Sequence, residues 1–249
     1  MSIHHLLLDI EGTTCPASYV SETLFPYAMK HLPSFVAENI QNNDIQNIIK
    51  AAQHEWTNDN SEASIKLKEI HPLTEGNSFE GVIQYLQHLI RTDQKSTSLK
   101  DLQGKIWLKG YQRGDLKAEI FPETAECFRR WAQDNILISS YSSGSIQAQK
   151  LLYKHTECGD LCSLIHQWFD THTGSKKRAQ SYSTISQHLK ASPRNILFVS
   201  DSSEECDAAS ESGMLTLFSL RNSNPDQNSN GHRVIRSLHD ISNYLQQCL

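Results

Sequence analysis

Residues Ile3 to Thr14 read I-H-H-L-L-L-D-I-E-G-T-T, and no other stretch restricts the chain so tightly. Leu6, Leu7 and Leu8 form an unbroken apolar run that stops at an acid. That is the pattern of a strand buried on both faces of a parallel sheet, with Asp9 at its C-terminal end. Open α/β sheets bind their ligands at that end. Glu11 follows two positions on, Gly12 allows a sharp turn, and Thr13 and Thr14 add two hydroxyls. Such a cluster suits metal-assisted phosphoryl transfer: Asp9 attacks phosphorus, while Glu11 exchanges a proton with the leaving oxygen and then with water. A carboxylate repels a phosphate dianion, so a cation is required, and Mg²⁺ takes carboxylate and phosphate oxygens together. The bland alternative is an ordinary strand followed by an acidic turn.

A chain of 249 residues can bury a full core, either as one large domain or as a core carrying a second small one. It contains no stretch approaching the roughly 20 apolar residues of a membrane span, so no membrane partner is expected. A net charge of -5 without a dense Lys/Arg stripe argues against nucleic acid. The core strand begins almost at the first residue, which leaves no room for a signal peptide and predicts a cytoplasmic protein. Cys15, Cys127, Cys158, Cys162, Cys206 and Cys248 include no C-x-x-C pair, so reduced thiols are expected in place of a zinc site.

After the acidic turn the period changes. Val20, Leu24, Phe25, Ala28, Met29, Leu32, Phe35 and Val36 recur at helical spacing, with Pro26 and Pro33 bending or breaking the segment. A second helix runs from Asp44 as N-cap through Trp56, a third carries Phe79 to Ile90, and a fourth opens at Ser98 and carries Leu99 to Trp107. Four helices exceed what one β-α-β crossover needs. They predict a helical domain, residues 17–116, inserted into a core made of residues 1–16 and 117–249. Beside catalytic carboxylates, such an insertion reads as a cap.

From Ile120 an α/β rhythm begins. Pro122 and Glu123 open a helix, Asn135 to Tyr141 is a strand, Ser142, Ser143 and Gly144 turn, and a helix starts at Ser145. Strand, small-residue turn and helix N-terminus make an anion site, unless the serine and glycine merely cap the helix. Helical material is expected to about Gln167, followed by F-D-T-H-T-G-S-K-K and a helix from Lys177 to Leu189. The strand N-I-L-F-V-S repeats the first design and ends at Asp201, and Leu215 to Leu220 is the last strand expected. A loop follows from Asn222 to Gly231, and Ile241 to Leu245 lie in a closing helix.

Taken in order, D-x-E-G-T-T from Asp9, S-S-G from Ser142, Lys176, and D-x-x-x-E from Asp201 to Glu205 resemble the four motifs of the haloacid dehalogenase superfamily. Most phosphatases of that superfamily carry Asp two positions after the nucleophile. Glu11 instead resembles the enolase-phosphatase (acireductone synthase) family of methionine salvage. The segments Y-S-S-G-S-I-Q-A-Q-K-L-L, F-D-T-x-x-G-x-K, N-I-L-F-V-S-D and L-Q-G-K-I-W-x-x-G-Y are similar to that family too. Two departures are Cys15, where the family has Thr, and the loop from Arg221 to Gly231, which lacks the family's R-P-G-N.

The resemblance implies a Rossmann-like three-layer α/β core with a mostly parallel sheet and an inserted all-helical cap. It implies Mg²⁺ held by Asp9, Glu11 and Asp201, catalysis by Asp9, Glu11 and Lys176, and substrate phosphate bound by Ser142, Ser143 and Lys176. Lys177 is the second choice of lysine. It further implies a monomer that enolises 2,3-diketo-5-methylthiopentyl-1-phosphate and removes its phosphate. The residues by themselves reach only phosphoryl transfer. They leave open a general sugar or organophosphate phosphatase of the same fold, or a non-catalytic phospholigand-binding protein.

Overall fold

A computed structural model describes residues 3–71 and 79–247, so that Cys248 lies outside the described residues. The chain divides into two compact units, Met1–Val20 with Lys117–Leu249, and Ser21–Leu116. In chain order the first elements are β1 (His5–Leu8), a π-helical turn (Tyr19–Leu24), α1 (Phe25–Asn39), α2 (Asn43–Asn58), α3 (Glu62–Ile70), α4 (Glu80–Arg91) and α5 (Thr97–Arg113). There follow α6 (Thr124–Gln133), β2 (Leu137–Tyr141), α7 (Ile146–Lys154), β3 (Ile165–Phe169), α8 (Ala179–Leu189) and β4 (Ile196–Ser200). The chain closes with α9 (Ser203–Glu211), β5 (Leu215–Ser219), β6 (Val234–Ile235) and α10 (His239–Gln247).

The sheet has the order β3-β2-β1-β4-β5-β6, and every pairing is parallel. The predicted Rossmann-like core is therefore present. Leu8 lies in register with Ser140 of β2 and Val199 of β4, so the residues following these three strands emerge at one edge. The strand order reverses at β1 and β4, which is where such sheets open a crevice. One face of the sheet packs Leu7, Tyr141, Phe198 and Phe218 against Tyr182 and Ile185 of α8 and Cys206 and Ala209 of α9. Leu6 and Leu8 alternate to the other face and are equally buried. Tyr19 donates to the Lys117 carbonyl (2.9 Å), clipping the outgoing chain to the returning one.

Two strands go beyond the sequence reading. The stretch expected to be helical up to Gln167 contains β3, an edge strand whose half-exposed centre dilutes its apolar signal, and β6 is two residues long. Among the described residues the helical unit has five α-helices, not four. The extra one, α3, buries only Ser64 and so presents no apolar stripe. The caps also shift. Asn42, not Asp44, caps α2 by accepting the Asp44 N–H (2.8 Å), and Ser96, not Ser98, caps α5 by accepting the Leu99 N–H (3.0 Å). Ser98 instead gives its N–H (3.2 Å) and hydroxyl (2.8 Å) to Glu55. Among the described residues no helix is long and apolar enough to cross a membrane.

Pro33 lies inside α1 without ending it. A proline cannot supply the N–H that the carbonyl four residues back requires. Here that carbonyl belongs to Met29, and Gln87 Nε2 of α4 reaches it at 3.1 Å. Gln87→Ala is predicted to cost about 1 kcal/mol in urea unfolding. In a Pro33→Ala background, where the backbone N–H returns, the same change should cost almost nothing.

Candidate active site

The turn after β1 is built almost entirely from backbone and side-chain clamps. The Asp9 N–H donates to Val199 (2.9 Å), and the Ile10 carbonyl accepts from Thr13, Thr14 and Cys15 (3.1, 2.9 and 3.0 Å). Gly12 has φ +69° and a carbonyl that accepts from Ser219 Oγ (2.9 Å) and Asn224 Nδ2 (3.0 Å). A Cβ on Gly12 would fall 2.2 Å from Asp201 Oδ2, so any larger residue would displace that carboxylate. Thr14 does not present a free hydroxyl, because its Oγ1 pairs with Tyr153 OH at 2.7 Å. The loop that lacks R-P-G-N still supplies Arg221, whose guanidinium bonds Glu123 (2.8 Å) and stacks on Phe121 with 4.1 Å to the ring centroid.

Among the described residues, Lys176 is the only cation brought into contact with these carboxylates. Its Nζ stands 2.6 Å from Asp9 Oδ1 and 2.6 Å from Glu205 Oε2, although the residue is 8% exposed. Three hydroxyls hold its loop: Tyr182 bonds the Lys176 carbonyl (2.7 Å), Ser181 the Ser175 carbonyl (2.7 Å), and Tyr141 the Gly174 carbonyl (2.9 Å). Gly174 has φ +142°, and a Cβ there would lie 2.3 Å from Ser181 Oγ. Lys177 turns outward to Glu204 (2.5 Å). Ser200 Oγ lies 2.7 Å from Glu205 and 3.3 Å from Asp9 Oδ2, and its single proton goes to the nearer acid.

Ser142 Oγ donates to Glu11 Oε2 (3.4 Å) and accepts from the Gly144 N–H (3.0 Å). Ser145 caps α7 through the Ala148 N–H (3.3 Å). The turn is fixed from behind by Gln149, which donates to the Gly144 (2.9 Å) and Phe169 (2.8 Å) carbonyls, and by Asp170, which accepts from the Ile146 N–H (3.3 Å). Direct contacts thus link Asp9, Lys176 and Glu205 in one group and Glu11 and Ser142 in another, with Asp201 against Gly12. Ser143 lies in the same turn.

One ammonium among four acids leaves the site short of positive charge. Burial raises the Asp9 pKa, and Lys176 offsets this only in part while Glu11 adds to it. Burial likewise raises Glu205. Burial, and then the Asp9 charge, push Asp201 up to about 8. For Lys176, burial works against the charged form, but Asp9 and Glu205 together outweigh it and the pKa rises. This donor set of hard oxygens with surplus negative charge fits a divalent cation. Among the described residues no three His, Cys, Asp or Glu side chains are grouped as ready-made ligands of one ion, but Mg²⁺ commonly uses one or two carboxylates and completes its shell with water and phosphate oxygens.

Residues 3–213 match the family described as haloacid dehalogenase-like hydrolases. The chain belongs to that family. Over 98% of its length it is 53% identical to all of Enolase-phosphatase E1 from Parasynechococcus marenigrum (strain WH8102). It is 52% identical to Enolase-phosphatase E1 from Synechococcus sp. (strain CC9605), over 97% of each chain. The solved UTR4 protein of Saccharomyces cerevisiae is 31% identical, with a TM-score of 0.76 covering 95% of this chain and 98% of that one.

Within this haloacid dehalogenase-like hydrolase, several contributors carry little sequence signal. Ser200 is legible only as a polar residue closing an apolar strand, and Asn224 sits in a polar loop resembling many others. Asp170 and Gln149 are ordinary until the turn they support is seen. The raised acids give a pH prediction. Asp201 binds its proton more tightly folded than unfolded, so it favours folding below its ordinary 3.8 and loses that contribution as pH rises through about 8. Metal-free protein should therefore melt at lower temperature as pH rises across that window, and Mg²⁺ affinity should rise with it. Asp201→Asn should flatten the melting profile and weaken Mg²⁺ binding, as read by calorimetric titration and thermal melts in chelator.

Proposed function

We propose that the chain is a Mg²⁺-dependent enolase-phosphatase that converts 2,3-diketo-5-methylthiopentyl-1-phosphate to the acireductone and phosphate in methionine salvage. The observation that carries the reading is the Glu11–Ser142 contact, which joins the acid after the nucleophile to the phosphate-binding turn (3.4 Å). Near-full-length identity to two proteins named Enolase-phosphatase E1 supports it.

In this reading Asp9 attacks phosphorus and carries the phosphoryl group, and Lys176 Nζ stabilises the charge that passes between Asp9 and the phosphate. Ser142, Ser143 and the N–H groups at the start of α7 hold the phosphate oxygens. Glu11 gives a proton to the leaving oxygen and recovers it from water. Asp9, Glu11 and Asp201 would hold Mg²⁺, which supplies Lewis-acid neutralisation of the phosphate charge. The helical unit Ser21–Leu116 serves as the cap that selects the substrate, and the protein acts as a cytoplasmic monomer, without nucleic acid or membrane as partner.

Incubation with the diketone phosphate and Mg²⁺, following enol absorbance and free phosphate together, tests the whole reading. Asp9→Asn should abolish phosphate release in a folded protein. Glu11→Asp withdraws the carboxylate from the Ser142 turn, and a displacement of about 1 Å can cost on the order of 10²-fold in rate. Turnover of the diketone phosphate should fall by that order, and by more than hydrolysis of a small phosphomonoester. Equal losses at saturating Mg²⁺ would show Glu11 to be an acid without substrate-specific placement.

A further inference from the structure

Asn224 has a second half that the Gly12 clamp does not use. Its Nδ2 lies 3.0 Å from the carbonyls of both Gly12 and Ser219. Carbonyls only accept, so the amide NH₂ must face them and Oδ1 must face away. Asn224 is 4% exposed, and Oδ1 has no hydrogen-bond partner among the described residues. Gly12 shows where that oxygen points: a Cβ there would lie 2.8 Å from Asn224 Oδ1 and 2.2 Å from Asp201 Oδ2. Both oxygens therefore border one small space beside the Gly12 Cα. Two side-chain oxygens border that space, and none of the described residues donates to Oδ1. A buried amide oxygen in that position is costly unless something donates to it.

We propose that Asn224 is a positioning residue for the divalent cation, with Oδ1 accepting from the cation's own hydration shell on the Asp201 side. Mg²⁺ gives up its waters reluctantly and polarises those it keeps, so its shell supplies the missing donor. The inference rests on the reading of Asp201 as a cation ligand and adds an uncharged partner outside the ligand set. Such outer partners typically change metal affinity by 10–100-fold. The same residue holds the Gly12 turn and grips the ion's shell, so the loop after β5 links metal binding to the shape of the nucleophile turn.

The test is calorimetric titration of the full chain with Mg²⁺ alone at pH 8, with no substrate, for the wild type and for Asn224→Ala, Asn224→Asp and Asp201→Asn. The proposal expects Asn224→Ala to raise the Mg²⁺ Kd by about 10-fold or more. Asn224→Asp, which keeps an oxygen toward the space but loses the amide donor, should bind at least as tightly as the wild type. Both variants lack the N–H bonds, so a difference between them reports on what faces the space and not on the clamp. If Ala and Asp weaken binding alike, or if Ala leaves Kd within twofold of the wild type, Oδ1 has no such role. Should Asp201→Asn also leave Kd unchanged, the cation reading itself fails. Asn224→Leu, which keeps the same branching and lacks both polar atoms, replaces the alanine variant if the latter does not fold.

Discussion

A single buried ammonium shared by two carboxylates holds this site together. Lys176 Nζ meets Asp9 and Glu205 at the same 2.6 Å, and removing the lysine would leave both acids buried without a counter-charge. Breaking a buried pair of this kind commonly costs about 3–5 kcal/mol, because the surviving partner keeps its desolvation penalty. The surrounding structure answers to that requirement. Three hydroxyls fix the lysine's loop by its carbonyls, Gly174 lets that loop approach α8, and Ser200 closes the gap between the two acids. The parallel register of β1 with β4 is what brings acids from distant parts of the chain to one edge.

That arrangement is electrostatically incomplete. Burial first, and neighbouring negative charge after it, raise the proton affinities of Asp9, Asp201 and Glu205, so the cluster works against folding near neutral pH in the absence of a counter-ion. Sites that hold like charges together in this way trade stability for function. The stability comes from elsewhere, chiefly from side chains such as Leu6, Leu7, Leu197 and Phe198, which lie wholly inside the sheet. The turn after β1 itself has little regular structure. It is held by Ser219 at the end of β5, by Asn224 in the loop that follows and by Tyr153 from α7, which makes its shape a tertiary property.

Much of this architecture is legible in the order of the residues. The runs Leu6–Leu8 and Ile196–Val199 are apolar on both faces and end in a polar residue or an acid, as a central parallel strand requires. Asp9, Ser142 and Asp201 can be picked out because each follows a strand, and Lys176 because it follows a glycine turn ahead of a helix. The strand β3 is hidden because an edge strand need not be apolar throughout, and α3 because a helix that buries one serine has no period. The caps shift by two residues because Asn42 and Asp44, like Ser96 and Ser98, are both competent, and only tertiary contacts such as Glu55 decide between them. Glu205 is visible in D-x-x-x-E, but its partnership with Lys176 depends on packing between α8 and α9, which no local pattern encodes.

The central claim is that Asp9, poised against Lys176, forms the covalent bond to phosphorus. Borohydride added during turnover of the diketone phosphate reduces an aspartyl phosphate to the corresponding alcohol, and peptide mass spectrometry locates it. The account predicts that residue 9 is converted to homoserine, only in the presence of substrate. Reduction at Glu11, Asp201 or Glu205 in its place, or an unmodified Asp9 while phosphate is being released, would contradict it.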